Sequence, residues 1–253
     1  MIVLIHSSKT MRPPPPGPAP KPARAPALLD RASELVGYLR TLSPQRLGAA
    51  MTLSGELAMK THELHEAWST EPLRQRPAVE SFLGDIYSGL QVSTFTAAQR
   101  SYADRHLRIL SGLYGILRPY DGISPYRLEM GARLPDPRYR NLYSFWGNAI
   151  AEQLPATGPV VNLAAQEYSR AVLSGLDPAR VVTPTFLTGD KFVAVHAKVA
   201  RGAFARWLLS TRAADLTTFT DLGYAYRPER SRDREPCFVC TDFGGKGLSV
   251  RLS

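Results

Sequence analysis

The spacing of apolar and polar positions divides the chain into short strands and amphipathic helices. Ile2, Val3, Leu4 and Ile5 form an unbroken apolar run of strand length and read as a fully buried strand. Over residues 27–42, apolar side chains at Leu28, Leu35, Val36, Leu39 and Leu42 mark the stripe of an amphipathic helix. Ser43 followed by Pro44 starts a second helix, and Ser54 caps a third that runs to about Trp68. Residues 81–90 read as a helix passing into a loop, with Gly84 and Gly89 allowing close packing. Thr96 with Gln99 three positions on is a capping box that opens the next helix. Leu107, Leu110, Leu113 and Leu117 continue at near-helical spacing, which predicts an apolar helix entering a turn at Gly112 and Gly115.

Further on, residues 142–154 read as a helix and 159–164 as a short buried strand interrupted by Asn162. Glu167 and Tyr168 open another helix, where a carboxylate is favoured by the helix dipole. Residues 180–187 and 191–195 read as strands joined by a hairpin at Thr188, Gly189 and Asp190. An amphipathic helix then runs to Leu209, and residues 223–224 and 237–241 supply the last strands. Residues 12–26, RPPPPGPAPKPARAP, are proline-rich and extended, and are expected to form a surface loop.

Length and charge then limit the classes. The 253 residues suffice for one large domain or two small ones, with a core that needs no disulfide or metal. A net charge of +9 predicts attraction to polyanions, from nucleic acid to phosphorylated metabolites. The apolar start is too short for a signal peptide or membrane span, so a soluble cytoplasmic protein is expected, with no membrane partner and as a monomer. Cys237 and Cys240 form a single C-x-x-C pair, which cannot close a tetrahedral zinc site and reads as two ordinary thiols. His62 and His65 lie three apart without a third ligand, so neither a metal nor a cofactor is expected.

Two chemistries compete. In the first, the turn at Gly112 and Gly115 offers backbone N–H groups to a phosphate while Arg105, Arg108, Arg118, Arg127 and Arg133 supply charge around it. That arrangement looks like a helix-hairpin-helix element gripping double-stranded DNA; read structurally, it is a glycine-capped helix end. Lys198, Arg201 and Arg206 would extend the cationic surface, Arg201 lying about one helical turn from Lys198. In the second, the partner is an anionic small molecule. Lys9 follows the first strand, where α/β proteins bind ligands. With Tyr126, Glu129, Asn162, Glu167 and Lys198 it would make an acid–base or nucleophilic site, joined by Asp85, Tyr87, Arg127, Tyr168 and Arg201. Carboxylates at Asp85, Glu129 and Glu167 would repel phosphate, which a plain DNA clamp does not need.

Several motifs occur in a distinctive order: Ser8-Lys9-Thr10, Gly84-Asp85-Ile86-Tyr87-Ser88-Gly89-Leu90, LSGLYG at 110–115, PYRLEMG at 125–131, Phe145-Trp146-Gly147, Val161-Asn162-Leu163-Ala164, Glu167-Tyr168 and AKVARG at 197–202. On these the chain resembles the YaaA peroxide-stress family across nearly its whole length. The resemblance implies one mixed α/β (α+β) domain over residues 1–253, with a central sheet, surrounding helices and a helix-hairpin-helix-like element. It also implies a positively charged cleft, largely sequence-independent DNA binding and a role in limiting oxidative damage. The chain departs from the family at His6-Ser7-Ser8-Lys9, where other members often carry Ser-Pro-Ala-Lys, in the proline run, and in the arginine-rich residues 227–234.

Overall fold

A computed structural model describes residues 1–13, 22–241 and 243. Most of the proline-rich run lies outside these residues. A five-stranded sheet organises the chain: β1 (Ile2–His6), β2 (Leu107–Ser111), β3 (Gly115–Leu117), β4 (Val160–Asn162) and β5 (Val181–Val182), in the spatial order β3-β2-β1-β4-β5. β1 is parallel to β2 and to β4, with Val3 level with Leu107 on one side and Val161 on the other. β5 continues the parallel set, and only β3 runs against its neighbour. All five residues of β1 and of β2 are buried, as expected of strands covered on both faces.

The longer helices are α1 (Leu29–Arg40), α2 (Pro44–Met51), α3 (Gly55–Ala67), α4 (Asp85–Leu90), α5 (Ala97–His106), α6 (Gln166–Leu173) and α7 (Ala194–Thr211), with single turns at Ala78–Ser81 and Leu142–Trp146. A second sheet holds β6 (Thr185–Thr188), β7 (Ala225–Tyr226) and β8 (Cys237–Cys240), with β8 in the centre. Its core is aromatic: Phe186 stacks on Phe238 at 5.6 Å, and Phe204 of α7 meets Phe219 edge-on at 4.8 Å. Among the described residues no helix is long and apolar enough to cross a membrane.

The mixed α/β class expected from the sequence is what the chain adopts, but four elements differ. The stretch from Leu107 to Leu117 is a strand–turn–strand, not an apolar helix. Every position of β2 is buried, so helical and extended spacing of leucines cannot be told apart there. The run 180–187 breaks at Pro184 into β5 and β6, which lie in different sheets. Lys191 makes one bridge to Thr188, and α7 starts at Ala194 in place of a second strand. The helix expected over 142–154 ends at Trp146, where Gly147 takes a positive φ of 50°.

The topology singles out one end of the central sheet. From β1 the chain crosses towards β2, and from β4 it crosses the other way towards β5. The crevice beyond the carboxyl ends of β1 and β4 is therefore a topological switch point, where open α/β sheets bind ligands.

Candidate functional site

Three strand ends deliver polar groups to that crevice. β1 runs out into His6, Ser7, Ser8 and Lys9. β2 ends at Ser111, whose Oγ accepts from the Tyr114 N–H at 2.9 Å and pairs with the Tyr126 hydroxyl at 2.7 Å. A Cβ on Gly112 would collide with the carbonyl of Leu128, so glycine here lets the PYRLEMG segment lie against the end of β2. That segment brings in Arg127 and Glu129. Glu129 Oε1 lies 3.1 Å from Lys9 Nζ and 3.4 Å from Arg127 Nη2. Glu167, at the start of α6, accepts from the Gly131 N–H at 2.9 Å. Asn162 at the end of β4 accepts from the Ala164 N–H at 3.1 Å and so shapes the turn into α6.

Beneath this rim lie hydroxyls removed from water. Ser7, which is buried, lies beside the Tyr126 and Tyr168 phenols. Tyr87 of α4 donates to the carbonyl of His6 at 3.0 Å. Burial pushes the Tyr126 phenol up to about 12 and raises Tyr87 and Tyr168 as well, so all three remain neutral proton donors. His6 stacks on Tyr168 with ring centroids 4.9 Å apart, and its Nδ1 accepts from the Ala165 N–H at 3.1 Å. Burial, then the charges of Arg201 and Lys198, depress the imidazole to about 3.

Lys198 and Arg201 come from α7, one turn apart. Their position is set by the crossing of α7 over α4. A Cβ on Gly89 would strike the Val199 carbonyl, and one on Gly202 the Ile86 carbonyl, so the two glycines allow near contact of the backbones. Among the described residues neither cation has a carboxylate partner within 4.0 Å, whereas Lys9 and Arg127 share Glu129. Arg201 Nε is buried with no hydrogen-bond partner among the described residues, and burial lowers the guanidinium pKa. A cavity of about 890 Å³, lined by Arg12, Arg76 and Arg100 among others, adjoins this centre through Gly84 and Tyr87.

The other arginines expected to join them do not. Arg108 is buried, with Nη1 donating to the carbonyls of Asp104 at 3.1 Å and Leu107 at 2.7 Å. It belongs with Arg24, which pairs with Asp104 at 2.6 Å and Asp121 at 3.6 Å, and with Arg118, whose N–H donates to Asp121 at 2.8 Å. That cluster lies at the start of β2, away from Ser111. Arg105 donates to Ser101, and Arg206 is taken up by Gln91 and by Asp221. The turn at Gly112 and Gly115 is buried, with the Gly112 carbonyl accepting from Trp146 Nε1 at 3.1 Å. The expectation of one cationic trough around that bend is thus corrected: its backbone faces the core, and its arginines divide between two regions. Elsewhere, the consecutive helices α2 and α3 are joined by a short turn at Thr52, Leu53 and Ser54. The Arg133 N–H donates to Ala50 of α2 at 3.4 Å, and His65 of α3 is 3.0 Å from the Arg127 carbonyl. Cys237 and Cys240 are buried free thiols in β8.

A sequence model described as peroxide stress protein YaaA matches residues 1–230, nine-tenths of the chain. The chain belongs to the YaaA peroxide stress protein family. Among YaaA-family relatives, a UPF0246 protein of Salinispora tropica is 60% identical, covering 99% of this chain and 98% of its own length. Similar UPF0246 proteins of Ralstonia nicotianae and Idiomarina loihiensis are 40% and 39% identical, over 94% and 84% of this chain and 98% and 88% of theirs. Family membership links the chain to peroxide stress. The sequence reading of the site missed His6, Ser7 and Ser111. For His6 and Ser7 the signal was two polar residues at the carboxyl end of an apolar strand, whereas Ser111 had none because β2 does not read as a strand.

Proposed function

We propose that this YaaA-family protein binds, and acts on, a small molecule bearing an anionic oxygen group at the switch point of its central sheet. The observation that carries this reading is Arg201, a partly buried guanidinium whose Nε is buried without a partner among the described residues, beside Lys198, which has no carboxylate within 4.0 Å among them. A cation partly withdrawn from water without a counter-charge carries a desolvation cost, and an anionic ligand relieves it. Glu129, Glu167 and the tyrosines then supply proton acceptors and donors around the bound group. Peroxide stress is the setting in which this activity would serve. Thermal-shift titration with a panel of phosphorylated and carboxylated metabolites tests the reading, alongside mass spectrometry of ligands that co-purify. Saturable stabilisation lost in Lys198→Ala and Arg201→Met is expected. A panel that never shifts the wild-type midpoint, with no co-purified ligand, would count against it.

A second reading, largely sequence-independent binding of double-stranded DNA, draws on the α2–α3 pair. Its connecting turn is exposed at Thr52 and Ser54, and the net charge of +9 favours a polyanion. Under this reading duplex affinity falls steeply with salt and drops on replacing Arg133 and Arg127 with Ala. Salt-independent binding or unchanged affinity in that double variant would exclude it.

A further inference from the structure

His6 was not among the residues marked by the sequence, yet its surroundings define what it can do. The Ala165 N–H points at Nδ1 from 3.1 Å, so Nδ1 must carry a lone pair. Tyr168 covers one face of the ring, fixing its plane. Tyr87 of α4 holds the His6 carbonyl, so the backbone is also pinned. The charged groups that act on the ring, Arg201 and Lys198 of α7, are both cationic and disfavour a third positive charge. A neutral imidazole with an occupied Nδ1 lone pair has its one proton on Nε2. Among the described residues that Nε2–H has no hydrogen-bond partner.

We propose that His6 Nε2–H, Lys198 and Arg201 together form the binding site for a phosphate-type oxyanion, with His6 as its neutral directional donor. This deepens the small-molecule reading of the same centre and rests on it. Two cations supply the charge that draws the anion in. Neither fixes its orientation as a rigid ring does, since Lys198 is an exposed side chain on a flexible stem. His6 sits at the carboxyl end of the central strand, locked by backbone and stacking contacts. It therefore orients one oxygen of the anion relative to Tyr168 and Ser7.

Two measurements on the full chain test the proposal. Long-range ¹H–¹⁵N correlation spectra of ¹⁵N-histidine protein should show His6 protonated at Nε2 and bare at Nδ1 across pH 5–8. Inorganic phosphate should then shift the Nε2 proton saturably, while acetate should not. Isothermal titration should show phosphate binding weakened about tenfold in His6→Phe and less in His6→Gln, which retains an N–H donor. Near-UV circular dichroism of both variants checks that the fold is kept. A proton on Nδ1, an imidazolium at pH 6, or full phosphate affinity in a folded His6→Phe would overturn the role of His6. Binding lost in Lys198→Ala but intact in His6→Phe would leave the anion site standing without it. Acetate binding in place of phosphate would overturn the phosphate-type assignment, as would a wild type that binds panel metabolites but not phosphate, and a wild type that binds neither these anions nor any panel metabolite would remove the underlying reading as well.

Discussion

Replacing Arg201 with Met should make the ligand-free protein more stable while abolishing anion binding. Arg201 sits midway along α7, where Met and Arg have similar helix propensities, so the backbone term changes little. Met also keeps an unbranched stem that fills the space of the arginine methylenes. What the substitution removes is a buried Nε–H with no acceptor among the described residues. An unsatisfied buried donor costs about 1–3 kcal/mol, more when charged, and loss of some packing offsets part of the gain. A net stabilisation of roughly 1–2 kcal/mol would raise the melting midpoint by about 2–8 °C for a chain of this size. The assay is urea unfolding and calorimetry of ligand-free wild type and variant, repeated with saturating phosphate. In phosphate the order should reverse, because only the wild type gains binding energy. An Arg201→Met midpoint below that of the ligand-free wild type would make Arg201 a structural cation and not an anion-binding one.

Three further outcomes follow from particular contacts. Tyr114→Phe should destabilise by roughly 2–4 kcal/mol in denaturant unfolding, because it strands two buried donors: Trp68 Nε1 at 2.7 Å and the Ser124 N–H at 3.1 Å. Thr96→Ala should cost about 1 kcal/mol by the same assay, since it removes the side chain that caps α5. The pH dependence has a definite sign. His6 and His65 fall from the usual 6.5 to about 3 and about 4, so the folded state binds fewer protons than the unfolded one over that interval. Stability should therefore rise with pH from about 4 to 6.5 and be lost as pH falls. Asp121, raised by burial to about 6, acts the opposite way, since its folded form holds a proton that the unfolded form has released. Asp121→Asn should steepen the acid limb of an unfolding-versus-pH curve and His65→Gln should flatten it; unchanged slopes would contradict these assignments.

Local chemistry was legible wherever a single element decided it. The capping box at Thr96 and Gln99 forms both of its hydrogen bonds, at 3.3 and 2.8 Å, because the motif closes within one helical turn. β1 was legible because a short apolar run has few other uses. Leu107 to Leu117 was not, since burial on all sides erases the periodicity that separates helix from strand. At the site, Lys9, Tyr126, Glu129, Glu167 and Lys198 were marked by residue type, and the fold gathers them at one end of the sheet. Asn162 joins them as the residue that shapes a turn. The separation of Arg108 and Arg118 from Arg127 was invisible, because it depends on which end of β2 each one reaches. His6 escaped notice because its tautomer is set by Ala165, 159 residues away.

An anion bound at the carboxyl ends of β1 and β4 is directly observable. Crystals soaked in tungstate, an anomalously scattering stand-in for phosphate, test it most directly. An anomalous peak is expected within hydrogen-bonding reach of His6 Nε2, Lys198 Nζ and the Arg201 guanidinium, and should be lost in Arg201→Met. A peak confined to the Thr52–Ser54 turn or to the Arg24 and Arg118 cluster, with none beside Arg201, would contradict it.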